Sequence, residues 1–315
     1  MNFYFAPMEG ITGYVYRNAH HALFCEIDKY FSPFIGANQS DRFTTRELND
    51  ILPEHNTGIV LIPQILTNHA DDFIHTANKL SQLGYKEINL NLGCPSGTVV
   101  SKNRGSGFLL HTDELDAFLD EIFSRSKTKI SVKTRIGKND PEEFCELMEI
   151  FNKYPMEELI IHPRIQKDFY KNTPNLRVFK EALAASKNPV CYNGDLFTVK
   201  DYEVFANDFP RVETVMIGRG LISNPGLIAD ITKNTKLDKK LFKEFHDRIY
   251  EDYKKVLSGD VNVLHKMKEL WLYMIMMFSD NAKYIKKIKK ADRLSEYDEA
   301  VASLFLEQEV LESRE

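Results

Sequence analysis

One cysteine lies directly after a strand-like stretch and before a loop of small and basic residues. The stretch EINLNLG covers residues 87–93, Cys94 follows it, and the loop carries Lys102 and Arg104. A cysteine that only packs is buried and inert, whereas a reactive thiol lies at an edge, near polar groups and within reach of a ligand. Three glycines in the loop would let it close over a bound molecule. The pattern therefore favours a reactive thiol on a mobile loop.

Other strand-like stretches also end in polar, basic or flexible residues. Amides suit hydrogen bonding to a ring edge, lysine and arginine supply positive charge, and glycine lets a backbone N–H approach an anion. The strand-end residues are Pro7, Met8, Gln64, Asn91, Lys133, Arg135, His162, Arg164, Asn193, Gly194, Asp195, Gly218 and Arg219. Any one of them is typical of solvated surface, but so many together indicate a binding site.

The elements that would position these residues alternate regularly. Stretches with helical start and stop signals, such as residues 69–84, 112–126 and 140–154, separate β-rich stretches. The β-rich stretches are residues 2–8, 29–35, 59–66, 87–93, 129–137, 158–164, 189–195 and 214–220. This alternation predicts a (β/α)8 TIM barrel, whose active sites lie at the C-terminal ends of the strands. An open doubly wound sheet is the alternative, ranked lower because no GxGxxG motif follows the first stretch.

The chemistry of the strand ends suggests FMN as the ligand. The motifs NGD (193–195) and IGRG (217–220) place glycines and Arg219 where barrels commonly bind phosphate. Gln64 can donate and accept at the edge of a flat ring, and Lys133 can hold positive charge beside a ring that becomes anionic on reduction. A phosphate site and a polar ring site in one barrel fit this flavin.

The chain resembles the tRNA-dihydrouridine synthases over about residues 2–226. The matching motifs, in family order, are APMEGIT, Gln64, NLNLGCPSGTVV, SVKTRIG, HPR, NGD and MIGRG. It departs from the family at Pro163, where glycine is more usual, at Pro63, which predicts a local bulge, and in a longer loop after GCP. The resemblance implies an FMN enzyme with a barrel and a helical domain that reduces a tRNA uridine to dihydrouridine, with NADPH as reductant.

The resemblance also implies roles for individual residues. FMN would deliver a hydride to C6 of the uracil and Cys94 a proton to C5, because an ordinary thiol pKa of about 8.5 keeps the proton on at neutral pH. His162 is assigned to the ribityl–phosphate part of the flavin and Asn91 to the uracil edge. Arg135 and Arg164 would contact the uracil or a neighbouring phosphate, with solvated rim charges as the alternative.

The chain after the barrel differs in charge, and we expect a domain boundary near residue 235, with a barrel at 1–235 and a helical tRNA-binding domain at 236–315. Residues 231–294 carry 16 basic and 9 acidic side chains. Three helical stretches are expected at 239–257, 262–278 and 281–294. A lysine face with i, i+3, i+4, i+7 spacing would contact the RNA backbone together with Lys102 and Arg104; it comprises Lys283, Lys286, Lys287 and Lys290. The alternative is a solvated face.

Composition limits the remaining classes of protein. The chain has 315 residues, of which 43% are hydrophobic and 28% charged, as in globular proteins. Its longest apolar run, 271–278, is far shorter than the ~20 residues of a membrane helix, and MNFYFAPMEG lacks the features of a secretory signal. The four cysteines show no metal or disulfide spacing, so we expect a reducing cytoplasm and no metal. We also expect a monomer.

Two other functions stay open at this stage. One is an FMN barrel that acts on a free small molecule, as a dihydroorotate dehydrogenase does; this would leave the basic helical segment without a purpose. The other is a non-catalytic RNA-binding protein that keeps a barrel as its scaffold, which would purify without flavin.

Overall fold

The computed structural model describes residues 1–40 and 42–311. Eight parallel strands close into a barrel in chain order, with helices between them. The strands are β1 (Asn2–Phe5), β2 (Lys29–Gly36), β3 (Leu61–Leu66), β4 (Glu87–Leu92), β5 (Lys129–Arg135), β6 (Leu159–His162), β7 (Val190–Tyr192) and β8 (Thr214–Ile217). Each strand overlaps one of the eight β-rich stretches, so the predicted TIM barrel is confirmed.

A cluster of apolar side chains identifies the inward face of the strands. Buried residues from six strands pack together, and such residues can meet only in the interior of a closed barrel. The cluster comprises Tyr4, Ala6, Phe31, Ile62, Ile160, Cys191 and Met216. Along each strand, the residues two positions further on face the same interior.

The irregularity predicted at Pro63 is present, although the neighbouring strand carries the extra residue. The register between β2 and β3 shifts between Phe31 and Phe34, so two residues of β2 lie opposite Pro63. Proline has no N–H for the ladder. The next N–H, that of Gln64, donates to Ser32 Oγ at 3.1 Å, which restores a hydrogen bond at the bulge.

The helices follow the strands as the sequence predicts. In the barrel part they are α1 (Tyr14–Leu23), α2 (Thr45–Ile51), α3 (Ala70–Gln82), α4 (Gly97–Val100), α5 (Thr112–Arg125), α6 (Glu143–Phe151), α7 (Leu176–Ala185), α8 (Val199–Asp208), α9 (Arg219–Ser223) and α10 (Leu227–Lys233). The expected helices at 69–84, 112–126 and 140–154 correspond to α3, α5 and α6. Thr44 begins α2 with a capping box in which Glu47 is the reciprocal partner.

Four helices follow, α11 (Lys239–Val256), α12 (Asp260–Met274), α13 (Ala282–Lys290) and α14 (Leu294–Glu307). The first three match the predicted stretches, whereas α14 was not predicted. Its Tyr297 hydroxyl accepts a hydrogen bond from Trp271 Nε1 at 2.8 Å and lies 2.6 Å from His246 Nε2. All three side chains are buried, so α14 completes the core of this bundle.

The chain divides into two compact units, and each unit consists of several separate segments of the sequence. One comprises Met1–Glu9, Asp28–Asp195 and Phe209–Met216, and the other Gly10–Ile27, Leu196–Asp208 and the chain from Ile217 onward. In the second unit, Phe245 of α11 packs edge-on against Tyr16 of α1 and against Phe24, the residue that follows α1. The domain boundary near residue 235 stays a prediction. The last four residues of the expected helical domain, 312–315, lie outside the described chain. No helix in the described residues is long and apolar enough to cross a membrane.

Candidate functional site

Five of the predicted site residues lie one layer beyond the apolar cluster and face the inside of the barrel. Gln64 faces the same side of β3 as Ile62, and His162 the same side of β6 as Ile160, because each pair is two residues apart. The same alternation, together with strand pairing, turns Asn91, Lys133 and Asn193 inward. The structure therefore brings together polar residues from separate strand ends.

A chain of hydrogen-bonded side chains crosses β3, β4 and β5 in this layer. Gln64 Nε2 donates to Asn89 Oδ1 at 2.7 Å, and Asn89 Nδ2 donates to Ser131 Oγ at 3.0 Å. Asn91 Nδ2 donates to Gln64 Oε1 at 2.7 Å. All four side chains are buried. Because every amide has defined partners, the orientations of Gln64 and Asn91 are fixed.

The same network holds the backbone of Cys94. Asn91 Oδ1 accepts hydrogen bonds from the backbone N–H groups of Gly93 (3.0 Å) and Cys94 (2.9 Å). The Cys94 carbonyl oxygen accepts from the Ser106 N–H (3.1 Å) and from Ser106 Oγ (2.8 Å). The position of the thiol is thus set by partners on both sides.

The Cys94 thiol is half-buried, and its environment keeps it protonated. Burial is the main cause that raises its pKa, and nearby Glu9 raises it further. A hydrogen bond with the Ser96 backbone and the charges of Arg135 and Lys133 act in the opposite direction without cancelling the effect of burial. A protonated thiol is a proton donor rather than a nucleophile at neutral pH.

The segment after Cys94 is folded. It forms α4 and then a 3-10 helix, Gly105–Leu110. A Cβ on Gly105, whose φ is +55°, would lie 2.8 Å from the Cys94 carbonyl oxygen, and one on Gly107 would lie 2.8 Å from that of Val100. These glycines permit close packing beside Cys94, so the segment is helical rather than an open loop, and its closure over a bound molecule stays a prediction.

Lys133 places an amino group inside the barrel, next to Asn91 across β4 and β5. Part of its side chain remains accessible, yet desolvation by the surrounding wall and, second, the charge of Arg135 together lower its pKa to about 8. A cation in such surroundings interacts strongly with a bound anion. Lys133 is therefore suited to stabilise negative charge on a ring held in the barrel.

Arg164 and Asp195 form an ion pair at the ends of β6 and β7. Arg164 Nη1 and Nη2 donate to the two Asp195 carboxylate oxygens at 2.9 and 2.5 Å. Arg164 Nη1 also lies 3.1 Å from His162 Nε2. Because a guanidinium can only donate, Nε2 is the acceptor and the ring proton is on Nδ1. Arg164 is 1% exposed, so it is not a solvated rim charge.

Arg135 is equally buried and binds backbone carbonyls. Its Nε donates to Gly93 O (3.0 Å), and its two terminal nitrogens donate to Ile165 O (2.8 Å) and Phe169 O (2.7 Å). The Tyr170 ring lies 5.6 Å from its guanidinium carbon. Arg135 thus connects the exits of β4 and β6. It is no solvated charge either, while its contact with a substrate stays a prediction.

The end of β7 is a tight turn. Asn193 Nδ2 donates to Met216 O at 2.8 Å. A Cβ on Gly194 would lie 1.9 Å from the Tyr192 hydroxyl, so any larger residue there would have to displace the Tyr192 ring. At the end of β1, Pro7 and Met8 are half-buried, and their contact with a cofactor stays a prediction.

The residues after β8 form the short helix α9. Gly218 is its N-cap and Arg219 its first residue. The Arg219 guanidinium carbon lies 5.2 Å from the centre of the Phe197 ring. A Cβ on Gly220 would lie 2.0 Å from the Leu196 carbonyl oxygen, so glycine is needed for this approach. A phosphate at Gly218 and Arg219 stays a prediction.

The basic residues predicted to contact RNA differ in their surroundings. Lys102 is exposed, whereas Arg104 Nε donates to Asn68 Oδ1 at 3.2 Å. On α13, Lys283 is paired with Glu307 at 3.4 Å. The remaining predicted lysines are exposed, namely Lys286, Lys287 and Lys290. Their contact with RNA stays a prediction.

Sequence reasoning missed two members of the amide network, Asn89 and Ser131. Strand periodicity contains the signal for both, because Asn89 is two residues before Asn91 and Ser131 two before Lys133. Among the described residues, no group of three or more His, Cys, Asp or Glu side chains is arranged to hold a metal ion.

Comparison with known proteins gives the family. The model of the dihydrouridine synthase (Dus) family matches residues 4–314. A probable tRNA-dihydrouridine synthase of Staphylococcus aureus is 26% identical over 234 residues, which is 71% of this chain and 69% of that protein. The tRNA-dihydrouridine synthase B of Pasteurella multocida is 26% identical over 230 residues, 71% of this chain and 67% of that protein.

Solved structures agree on the fold. Histamine dehydrogenase from Rhizobium sp. 4-9 aligns with a TM-score of 0.56 and 11% identity, covering 85% of this chain and 49% of that one. Morphinone reductase in complex with tetrahydroNAD aligns with a TM-score of 0.53 and 10% identity, covering 78% and 90%. At these identities the likeness concerns the fold alone. The family match spans nearly the whole sequence, and this chain belongs to the dihydrouridine synthase family.

Proposed function

We propose that this protein reduces a uridine of tRNA to 5,6-dihydrouridine, with FMN as its cofactor, Cys94 as the proton donor and NADPH as the reductant. The observation that carries the proposal is the half-buried Cys94 thiol, whose pKa is raised and whose backbone is fixed by Asn91. Reduction of the C5–C6 double bond needs one hydride and one proton, and this thiol can give the proton.

The residues of the barrel fit a flavin. Gln64 uses one amide hydrogen and one lone pair within the protein, so one of each remains for a ring edge. Lys133 offers a positive charge in partly desolvated surroundings, which suits the negative charge of a reduced flavin ring. FMN, when bound, supplies the hydride. Gly218 and Arg219 are proposed to bind its phosphate and His162 its ribityl–phosphate portion.

The residues of the chain itself then act on the base. Cys94 holds a proton at neutral pH because burial raises its pKa, and it gives this proton to C5 of the uracil. Asn91 keeps the backbone of Cys94 in place, and Arg135 fixes the preceding residue through Gly93 O. The donor is thus positioned before the substrate arrives.

The tRNA substrate is proposed from the family and from the basic surface. The relatives from S. aureus and P. multocida are named as tRNA enzymes. Three exposed lysines of α13 can contact phosphates, namely Lys286, Lys287 and Lys290. A uridine within folded RNA has to leave its stack to reach a barrel mouth, so a grip on the RNA backbone has a clear purpose.

The test is a reaction with defined components. Purified protein loaded with FMN is incubated with NADPH and an unmodified tRNA transcript, and dihydrouridine is measured by mass spectrometry of the digested RNA. We expect dihydrouridine at defined positions, and tRNA from cells that lack this protein should lose the same modification. Turnover of free uracil or dihydroorotate with no product in tRNA would instead support the small-molecule enzyme.

A further inference from the structure

The turn after β6 presents an aromatic residue in an unusual backbone conformation. Phe169 has φ +51° and ψ −97°, a region that bulky residues avoid and that glycine tolerates. Its side chain is 43% exposed. Neither folding of the turn nor burial of the ring explains a phenylalanine at this position. A strained residue that is kept in place by its surroundings often has a function.

The turn is firmly attached to the residues around Cys94. Arg135 donates to Phe169 O at 2.7 Å and, through Nε, to Gly93 O at 3.0 Å. Gln166 Nε2 donates to Pro95 O at 3.1 Å. The Arg135 guanidinium therefore bridges Phe169 and Gly93, the residue that precedes the proposed proton donor. This bridge lies at the C-terminal side of the barrel, where substrates bind.

The two aromatic residues of the turn differ in what they contact. The Tyr170 ring lies 6.1 Å from the His162 ring and 5.6 Å from the Arg135 guanidinium carbon. Within residues 1–40 and 42–311, the Phe169 ring has no aromatic or cationic partner. The exposed part of the Phe169 ring is therefore accessible to a bound aromatic group.

Two positively charged residues lie near Phe169 in the sequence. Lys167 and Lys171 flank Phe169 in the sequence KDFYK, and both are exposed. Neither has an ion-pair partner within the described part of the chain. An exposed ring between two lysines suits an unpaired nucleotide, whose base stacks on the ring while its phosphate meets an ammonium group.

We propose that the Phe169 ring stacks on an unpaired base of the tRNA next to the reacting uridine, with Lys167 and Lys171 near its phosphates. This inference rests on the proposed function. It assigns Phe169 to substrate binding: the ring supports the neighbouring nucleotide while the uridine is in the barrel. The unfavourable backbone conformation persists because Arg135 and Gln166 hold the turn.

The decisive variant is Phe169→Gly, because glycine tolerates this φ and the protein should fold without loss of melting temperature. We expect the variant to bind an unmodified tRNA transcript about 5-fold to 100-fold more weakly, the range for one lost base–aromatic contact. Flavin reduction by NADPH should stay at the wild-type rate. The matched control, Phe169→Tyr, keeps the ring and should bind as the wild type does.

A direct reporter of stacking is Phe169→Trp, since the one natural tryptophan, Trp271, is buried. Addition of tRNA should quench the additional fluorescence of this variant well beyond any change in the wild type. Equal tRNA affinity of the wild type and Phe169→Gly, with no such quenching, would overturn the stacking proposal while dihydrouridine formation by the wild type continues. Absence of dihydrouridine with the wild type would overturn the proposed function, and this inference with it.

Discussion

The side-chain oxygen of Asn91 accepts a hydrogen bond from the backbone N–H of Cys94 at 2.9 Å. The Asn91 amide nitrogen is bound to Gln64 at 2.7 Å, so the residue that sets the position of the thiol is itself fixed by a residue assigned to the flavin edge. The cofactor layer and the proton donor are thus mechanically connected through one buried amide.

This connection predicts a distinct effect of Asn91→Ala. The variant leaves two backbone N–H groups without their acceptor, and the thiol loses its fixed position. We expect uridine reduction in single turnover to fall about 10-fold to 100-fold, while NADPH reduces the flavin normally. Asn91→Asp keeps an acceptor oxygen and should retain more activity than Asn91→Ala if positioning is the role. Equal losses in the two variants would mean that the Asn91 amide hydrogens, which bind Gln64 and are available to a uracil, matter more than its acceptor oxygen.

Replacement of Cys94 tests the proton donor itself. Cys94→Ala should bind FMN and accept electrons from NADPH, whereas transfer to tRNA should fall by about 10²–10⁴, the usual contribution of a general acid. Burial raises the Cys94 pKa, so the protonated form persists to higher pH. The alkaline limb of single-turnover reduction should therefore lie above the ordinary thiol pKa of about 8.5. Normal turnover by Cys94→Ala would refute the role.

The charge of Lys133 should lower the stability of the flavin-free protein while it strengthens the binding of FMN. Its pKa is lowered to about 8, so between pH 8 and its usual range the unfolded chain binds more protons than the folded one. Stability of the flavin-free protein should therefore rise with pH in that window. Lys133→Met should raise the free energy of unfolding at pH 7 by roughly 1–3 kcal/mol and weaken FMN retention. Denaturant titration and flavin dialysis measure the two effects, and a less stable variant would contradict the expectation.

Glu158, the residue before β6, should make the stability fall rather than rise as the pH increases. Burial raises its pKa to about 7, with Glu87 as a further cause, so the folded chain binds more protons than the unfolded one between about pH 4.5 and 7. The stabilising contribution of the protonated form is lost as the pH rises through 7. Glu158→Gln mimics that form and should add roughly 1–3 kcal/mol at pH 8 and much less at pH 5. Urea unfolding at the two pH values tests this, and an equal gain at both would exclude titration of Glu158 as the cause.

Sequence patterns predicted much of the fold because barrel strands are short, buried and regularly spaced. The strand-end residues followed, since alternation along a strand decides which side chains face inward. Hydrogen-bond partners could not be predicted in this way. Arg135 and Arg164 look like surface charges in a sequence, and only the folded chain shows carbonyls and a carboxylate around them.

Two features that the sequence did not predict, the folded segment after Cys94 and helix α14, also depend on packing. The segment after Cys94 contains several glycines, which a sequence presents as flexibility, but Gly105 is there because the Cys94 carbonyl lies where a side chain would be. Helix α14 itself has an acidic, weakly amphipathic sequence, and it forms because Tyr297 fills the bundle core. Tertiary packing determines the conformation of the segment after Cys94 and of α14, and the propensities of single residues carry no information about such packing.

The exposed lysines of α13 lead to a prediction about RNA binding. Replacing Lys286, Lys287 and Lys290 by glutamine should weaken tRNA binding and reduce the slope of log affinity against log salt by about two to three, just under one unit for each lost phosphate contact. A matched control removes the same charge from other exposed lysines, Lys180, Lys187 and Lys200, and should leave the slope unchanged. Lys283→Gln alone should have little effect because Lys283 is already paired with Glu307. Identical slopes for the two triple variants would mean that the α13 lysines are only solvated surface.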